Sequence, residues 1–229
     1  MNVGVIELVH YEEWILSLGA DREWRVQAGQ ARLMQEAHAA LADAGAFFVP
    51  YTVNQGVAIC NGILREKLEA AIYRIAQASP VPFRFSFRSA PTVTGALELA
   101  YSAMEKNLPE WGGEDNSALI AAHYDLDSYL ETVRSNGLLY AKKRVDDLIG
   151  HVTQISSCIG GLSMYLGGDN VIMFSHLGAL ENIAGSVPDG AKVGIGIGRV
   201  PRQAVKRAGL ALTEIRKRRN VNALVVQDG

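Results

Sequence analysis

The sequence predicts an α+β fold made of two tandem copies of one βαββαβ unit. Two observations support this prediction. The order of strand-like and helical patterns in residues 1–106 recurs in residues 118–229, and a run rich in polar and turn residues at 107–117 separates the two halves. Such a run is typical of a linker. A repeat of this length indicates duplicated domains rather than a solenoid of short repeats.

The first half contains strand and helix patterns in the order βαββαβα. They fall at Val3–Val9, Asp21–Ala44, Ala46–Tyr51, Gly56–Cys60, Leu64–Ala78, Val81–Arg88 and Thr92–Lys106. The clearest strand is the sixth element, in which Phe83, Phe85 and Phe87 alternate with polar residues. This period of two is typical of a half-buried strand.

The second half repeats this order and adds a final strand. Its elements are predicted at Ala118–Leu126, a helix within Asp127–Ile155, Leu162–Leu166, Val171–Phe174, a short helix near Gly178–Ala184, Lys192–Arg199, Arg202–Arg218 and Ala223–Val226. A βαββαβ order packs as a ferredoxin-like layer, with an antiparallel sheet on one side and helices on the other. We therefore expect two tandem ferredoxin-like domains.

The composition is that of an ordinary globular chain. The 229 residues are 48% apolar, and 22 Lys and Arg against 24 Asp and Glu give a net charge of −2. This balance argues against nucleic-acid and membrane-surface partners. No run approaches the roughly 18 apolar residues of a membrane span, and Cys60 and Cys158 form neither a disulfide framework nor a zinc motif. We expect a soluble, cytoplasmic protein.

Asp125 and Asp169 are the strongest candidates for metal ligands. Asp125 ends a strand within the run His123–Ser128, and Asp169 lies at the tip of the hairpin Gly167–Asn170. The topology makes that strand and hairpin neighbours, so the two carboxylates can converge on Mg²⁺, while paired glycines allow a phosphate to approach closely. Asp127 shares the face of Asp125 if the strand continues. The alternative is that the hairpin residues serve only as a turn.

The repeat offers an internal comparison for these carboxylates. Superposing the halves by their spacing places Val9 opposite Asp125 and Asn54 opposite Asp169. The first domain is therefore predicted to lack the metal carboxylates. A requirement of the fold alone would apply to both copies, so the asymmetry favours a metal site in the second domain. His123 is either a support for that site or a core histidine.

Basic residues near the C-terminus are candidates for phosphate binding. The run Gly194–Arg199 lacks the third glycine of a nucleotide-binding GxGxxG loop, so it predicts a strand whose glycine face abuts something bulky. Arg199, Lys206 and Arg207 are candidate phosphate ligands near the start of the last helix. The run Arg216–Arg219 at its end is expected to be solvated.

Several motifs of this chain occur together in one known family. They are Tyr11 and Trp14, Arg22-Glu23, Gln27-x-x-Gln30-x-Arg32-Leu33, Asn61-Gly62, Ala122-His123-Tyr124-Asp125, Leu166-Gly167-Gly168-Asp169-Asn170 and Gly194–Arg199. Together they resemble archaeal GTP cyclohydrolase III, also called GTP cyclohydrolase IIa, whose palm-type domains are related to nucleotidyl cyclases and polymerases. The chain departs from the family at Val9-His10 and Val53-Asn54-Gln55, where many members carry Asp-Asn and Phe-Asp-Asn.

The resemblance implies hydrolysis of GTP to 2-amino-5-formylamino-6-ribosylamino-4(3H)-pyrimidinone 5′-phosphate and inorganic phosphate, in riboflavin and deazaflavin biosynthesis. It also implies Mg²⁺ as cofactor, a monovalent cation such as K⁺ as activator, and a homo-oligomer, either a dimer or a tetramer. The alternatives are a nucleotidyl cyclase-like enzyme that forms a phosphodiester, and a catalytically silent module that binds GTP or dimerises.

On this interpretation Asp125 and Asp169 are catalytic and, with the Leu126 carbonyl, hold one or two Mg²⁺ ions. Backbone N–H groups from Asp127 to Leu130 are expected to cradle phosphate oxygens. The expected GTP-binding residues are Asp127, Ser128, Tyr129, Gly167, Gly168, Asn170, Arg199, Lys206 and Arg207. For Arg22, Glu23 and Gln27, two alternatives are open: an interdomain pocket or a solvent-facing start of a helix.

Overall fold

The computed structural model describes residues 1–112, 115–218 and 221–227. The strands of these residues are β1 (Asn2–Leu8), β2 (Phe47–Pro50), β3 (Gln55–Ile59), β4 (Phe83–Ser89), β5 (Trp111–Gly112), β6 (Leu119–Leu126), β7 (Leu162–Gly167), β8 (Asn170–His176), β9 (Ala191–Gly198) and β10 (Ala223–Val226). The helices are α1 (Tyr11–Ser17), α2 (Arg22–Ala44), α3 (Arg65–Ala78), α4 (Val93–Glu105), α5 (Tyr129–Asn136), α6 (Leu138–Cys158), α7 (Leu180–Gly185) and α8 (Pro201–Ile215).

The strands form two five-stranded sheets with the same order. The first is β2-β3-β1-β4-β5 and the second is β7-β8-β6-β9-β10. Neighbouring strands are antiparallel, except for the parallel pairs β4–β5 and β9–β10 at one edge of each sheet. The predicted duplication into two largely antiparallel α+β units is therefore confirmed.

Each sheet belongs to a compact unit with its own core. The first unit comprises Asn2–Ala90 and Ala96–Asp115, and the second comprises Met1, Pro91–Gly95 and Asn116–Gly229. Apolar residues of β1, β2, β3 and β4 pack with α2 and α3 in the first core. The second core joins β6, β8 and β9 to α6 and α7. Among the described residues, no helix combines the length and apolar character of a membrane span.

The run at 107–117 is not wholly a linker. Trp111 and Gly112 form β5 and pair with Phe87 and Arg88 of β4. The ring of Trp111 stacks on that of Phe87, with 4.4 Å between the centroids. Aromatic burial therefore draws this short segment into the first sheet despite its many turn residues. Gly113 and Glu114 lie outside the described residues.

Two local features differ from the predicted helices. Gly137 has φ 86°, a backbone conformation that no α-helix can contain, so the expected single helix after β6 is divided into α5 and α6. Helix α1 was not predicted. Arg22, Glu23 and Gln27 are exposed at the start of α2, which agrees with the solvent-facing alternative.

The strand registers give a residue-by-residue correspondence between the two sheets. Glu7 of β1 pairs with Gln55 on one side and Arg84 on the other. Asp125 of β6 pairs with Lys192, and the β6–β8 register, continued by one residue, sets it beside Asn170. Glu7 is therefore the counterpart of Asp125.

The superposition of Val9 on Asp125 is wrong by two residues. The counterpart of Val9 is Asp127. The Val9 N–H donates to the carbonyl of Pro82, which precedes β4, at 2.8 Å, and the Asp127 N–H donates to the carbonyl of Gly190, which precedes β9, at 2.9 Å. A comparison by spacing along the chain cannot identify the pair Val9 and Asp127, because it does not include the register of the paired strands. The superposition of Asn54 on Asp169 agrees with the registers. The first unit thus keeps one carboxylate, Glu7, and lacks the hairpin one.

The alternating glycines of β9 allow α8 to lie directly on the strand. A Cβ on Gly194 would lie 2.2 Å from the carbonyl oxygen of Ala208, and one on Gly196 would lie 2.0 Å from that of Ala204. The prediction of a glycine face against something bulky is confirmed. Because later residues of α8 contact earlier residues of β9, the helix runs back along the strand.

Candidate active site

Asp125 and Asp169 meet at one end of the second sheet. The Asp125 side chain is only 10% exposed, and Asp169 lies at the tip of the β7–β8 hairpin. Burial and the hydrogen-bonded carboxylate of Asp125 raise the pKa of Asp169 to about 6, although the Leu126 backbone opposes this shift. The structure thus brings together the two carboxylates that the sequence identified.

The hairpin glycines shape the tip that carries Asp169. Gly167 has φ 105° and Gly168 has φ 62°, conformations that favour glycine. The Tyr165 hydroxyl donates a hydrogen bond to the Gly168 carbonyl at 3.0 Å and so fixes the tip. The turn function of these residues and their role in presenting Asp169 are therefore compatible.

His123 and Asn170 support Asp169 from within the second sheet. The His123 Nε2 lies 2.9 Å from the Asn170 Oδ1, and the Asn170 amide nitrogen donates to the Asp169 Oδ1 at 3.3 Å. Because the Asn170 oxygen only accepts, Nε2 must carry the proton. Burial lowers the pKa of His123 and favours its neutral form. His123 is therefore a support for the hairpin rather than an isolated core histidine.

Arg216 contacts Asp125, contrary to the expectation that it is solvated. Its Nε donates to the Asp125 Oδ2 at 3.1 Å, and its Nη2 donates to the same oxygen. The prediction failed because α8 runs back along β9. The C-terminal end of α8 therefore lies near the start of β9, which pairs with the end of β6 that carries Asp125. Lys217 and Arg218 pair with Glu214 on the surface, as expected of exposed charges. Arg219 lies outside the described residues.

Lys192 is a second cation that the sequence analysis did not assign to the site. Its Nζ lies 2.5 Å from the Oδ1 of Asp127, and it is the register partner of Asp125. The sequence feature that could have indicated this role is the position of Lys192 at the start of β9, the strand that pairs antiparallel with β6. Because antiparallel neighbours oppose start to end, such a residue lies beside the end of β6.

Arg199 is not brought to the carboxylate pair. Gly198, which ends β9, pairs with Leu119 at the start of β6, whereas Asp125 lies at the end of β6. Arg199 follows Gly198 and therefore lies at the opposite end of the sheet from the carboxylates.

The two other candidate phosphate ligands lie on α8. The Arg207 guanidinium donates to the Ile197 carbonyl, near the far end of β9, so the structure does not bring it to the carboxylates either. Lys206 is exposed on α8, and no hydrogen bond or ion pair joins its side chain to a described residue. The Arg199 guanidinium likewise has no hydrogen-bond or ion-pair partner among the described residues, so of the three candidate cations only Arg207 is engaged, by the Ile197 carbonyl.

The start of α5 forms one wall of the site. Ser128 precedes the helix with φ 53°, and its side chain makes no capping hydrogen bond. Tyr129 is half-buried against the second core. The Asp127 N–H is engaged by the Gly190 carbonyl at 2.9 Å, so the expected phosphate cradle cannot include it. The amides of the first turn, by contrast, have no acceptor within the helix.

The donor set fits a hard divalent cation that shares its shell with substrate. Within the described ranges, no group of three or more His, Cys, Asp or Glu side chains forms a closed metal site. Two carboxylates at one point are the protein ligands that Mg²⁺ commonly takes when water and phosphate oxygens complete its shell. Burial, together with the neighbouring Asp125 carboxylate, raises the pKa of Asp169, and a cation between the two carboxylates would offset both effects.

The fold and the site together define a duplicated α+β protein with a pair of neighbouring carboxylates, Asp125 and Asp169, in its second unit. The comparisons with known proteins identify the family. The chain belongs to the GTP cyclohydrolase III family, whose model matches residues 1–229. The resemblance predicted from the motifs is thereby confirmed.

Similar proteins span nearly the whole chain. A protein of Sulfurisphaera tokodaii named GTP cyclohydrolase III is 32% identical over 219 residues, which cover 94% of each chain. One of Aeropyrum pernix with the same name is 29% identical over 99% of this chain and 97% of its own. A solved class III adenylyl cyclase-like ATP-binding protein from Pseudomonas aeruginosa covers 98% of this chain and 83% of its own at 8% identity and a TM-score of 0.36, too low to carry an argument.

Proposed function

We propose that this chain is a Mg²⁺-dependent GTP cyclohydrolase. Water adds to the carbon between the imidazole nitrogens of guanine, one carbon–nitrogen bond breaks, and the departing nitrogen takes a proton while the formyl group is retained. Two further water molecules cleave the two phosphoanhydride bonds, so that the terminal two phosphates leave as inorganic phosphate and three waters are consumed for each GTP. The observation that carries the proposal is the convergence of Asp125 and Asp169, and the name of the family supports GTP as the substrate.

The carboxylate pair would hold one or two Mg²⁺ ions against the triphosphate. Bound there, Mg²⁺ supplies positive charge for the phosphate oxygens and lowers the pKa of water. Asp125 is fixed by its place in β6, and Asp169 is fixed by Asn170 and His123. This support orients the carboxylates before the substrate binds, which lowers the cost of assembling the site.

The remaining walls of the site bind the phosphates. The uncapped first-turn amides of α5 face outward from the helix end and provide hydrogen-bond donors for phosphate oxygens. Because Gly167 and Gly168 have no side chains, the hairpin leaves space for a phosphate to approach beside Asp169. Lys192 adds positive charge at the same end of the sheet, where it offsets Asp127.

Incubation with GTP, Mg²⁺ and K⁺ tests this function directly. The release of inorganic phosphate, the ultraviolet spectrum and the mass of the nucleotide product should be followed together. The expected product is a monophosphate that carries added water and retains its formyl group. A chelator should abolish the reaction, and replacement of K⁺ by a large organic cation should slow it.

Other products would contradict the proposal. Cyclic or linked nucleotides would favour a nucleotidyl cyclase-like reaction, in which a hydroxyl rather than water attacks phosphorus. Bound but unchanged GTP would favour a silent binding module.

A further inference from the structure

Arg216 neutralises a buried carboxylate from an exposed position. Its side chain is 57% exposed, whereas that of Asp125 is 10% exposed. Two of its N–H groups converge on a single oxygen, the Asp125 Oδ2. The Asp125 carboxylate is therefore held in place, and the Arg216 guanidinium that pairs with it is open to solvent on its other side.

The contact conflicts with cation binding at the same carboxylate. A divalent cation between Asp125 and Asp169 needs carboxylate oxygens, and the guanidinium already occupies one of them. Lys192 cannot replace Arg216 without leaving Asp127, to which it is bound at 2.5 Å. A cation that enters the site therefore shares the Asp125 carboxylate with Arg216, and the two positive charges repel each other.

We propose that Arg216 exchanges partners when the site is loaded: it holds Asp125 in the metal-free protein and moves to the triphosphate when a divalent cation binds. This inference rests on the proposed function. A bound cation satisfies the charge of Asp125 and weakens its hold on the guanidinium. The triphosphate then brings negative charge to the same place, and the planar guanidinium matches pairs of phosphate oxygens.

The position of Arg216 suits such an exchange. Its backbone N–H donates to the Leu212 carbonyl at 3.1 Å, directly after the end of α8. The backbone is thus anchored, while the long side chain can turn at several bonds. The motion requires a change of rotamer and no movement of the sheet or of the helix.

Cation binding without nucleotide is the first arm of the test. Free Mn²⁺ is measured by electron paramagnetic resonance during titration of the wild type and of Arg216→Met. Removal of the competing cation should tighten Mn²⁺ binding by about tenfold, the effect of one charge-assisted hydrogen bond. Arg216→Lys keeps a positive charge and should lie between the two. Thermal unfolding of each variant verifies that it is folded.

Nucleotide binding is the second arm. With saturating Mg²⁺, Arg216→Met should bind the β,γ-imido analogue of GTP about tenfold more weakly, because it lacks one guanidinium–phosphate contact. Arg218→Met is the matched control, since Arg218 pairs with Glu214 and does not contact Asp125. It should change neither affinity. Effects of opposite sign on cation and nucleotide would not arise from a merely structural role.

The outcomes separate this inference from the proposed function. If Arg216→Met leaves Mn²⁺ affinity unchanged or weakens it, or binds the nucleotide analogue as the wild type does, the exchange is wrong even when the wild type converts GTP. If the wild type does not convert GTP, the proposed function fails, and the two binding arms still decide the exchange.

Discussion

Glu7 in the first unit and Asp125 in the second occupy the same position of the same sheet, but their partners differ. The Glu7 Oε2 lies 2.6 Å from the Arg84 Nε, and its Oε1 accepts from the Gln55 amide at 3.0 Å. Both oxygens of Glu7 are thus taken by residues of its own unit. Asp125 instead meets an exposed arginine and a second carboxylate. One fold therefore supports a closed ion-pair network in one copy and a pair of neighbouring carboxylates in the other.

The hairpins account for much of this difference. Asn54 stands where the second unit has Asp169, and its side-chain oxygen accepts from the Thr52 hydroxyl at 3.1 Å. A neutral amide neither repels the Glu7 carboxylate nor offers a cation a second negative charge. Arg84 also contacts Glu105 of α4, which holds the guanidinium in place. In both units the sheet positions a carboxylate, but only the second unit has a hairpin carboxylate beside it, and under the proposed function this pair would hold the metal.

Asp169→Asn gives the second hairpin the same residue type as Asn54 in the first, and it should have the largest effect on activity. One of the two protein carboxylates for the cation is lost, so we expect Mg²⁺-dependent GTP turnover to fall by about 10³-fold or more. Phosphate release and Mn²⁺ binding both measure this. Asn54→Ala, at the counterpart position, should leave turnover per folded molecule unchanged. Near-normal activity in Asp169→Asn would contradict the assignment of the site.

The close contact of α8 with β9 is a second difference between the units. Ser86 and Arg88 of β4 are the counterparts of Gly194 and Gly196, so β4 lacks the glycine face. Gly196→Ala should therefore lower the free energy of unfolding by about 3 kcal/mol, because its Cβ overlaps the backbone of α8.

Denaturant unfolding measures the effect of Gly196→Ala. Gly209→Ala is the control, since a Cβ there has no neighbour within 4 Å and alanine favours the helix. Equal stability of the Gly196→Ala variant and the wild type would refute the tight packing of α8 on β9.

Breaking the ion pair between Glu7 and Arg84 in the first unit should lower stability and leave activity unchanged. Glu7→Gln removes the charge that Arg84 faces in a partly buried setting, so we expect the free energy of unfolding to fall by about 1–2 kcal/mol. GTP turnover per folded molecule should remain that of the wild type. Loss of turnover in a fully folded Glu7→Gln variant would show that the first unit also contributes a catalytic carboxylate.

The pH dependence of cation binding should give the smallest effect. The pKa of Asp169 is raised to about 6, so protons compete with the cation below that pH and not above it. For one titrating carboxylate, Mn²⁺ affinity should fall roughly fourfold from pH 8 to pH 5.5. A calorimetric titration series measures this. Constant affinity across that range would show that Asp169 is not a ligand.

The sequence predicted the local parts of the candidate site and missed those that depend on packing. The strand end at Asp125 and the hairpin at Asp169 lie within short segments whose residue types specify a strand and a turn. Arg216 and Lys192 reach Asp125 through the pairing of β9 with β6 and the return of α8 along β9, neither of which shows in local spacing. Val9 was matched to the wrong residue for the same reason.

The duplicated fold could be predicted from the sequence because each unit repeats long elements with a strong hydrophobic period. The short strand β5 was not, since its two residues lie in a run of turn formers and pair only because the Trp111 ring packs on the sheet. The Gly137 break between α5 and α6 was also missed, because one glycine within an apolar period does not by itself end a helix.

A crystal structure with Mn²⁺ and the β,γ-imido analogue of GTP, analysed by anomalous scattering, tests the central claim most directly. We predict anomalous peaks between Asp125 and Asp169 and none beside Glu7 and Asn54. A peak at the first-unit position, or none at the carboxylate pair with the analogue bound, would contradict a single metal site in the second unit.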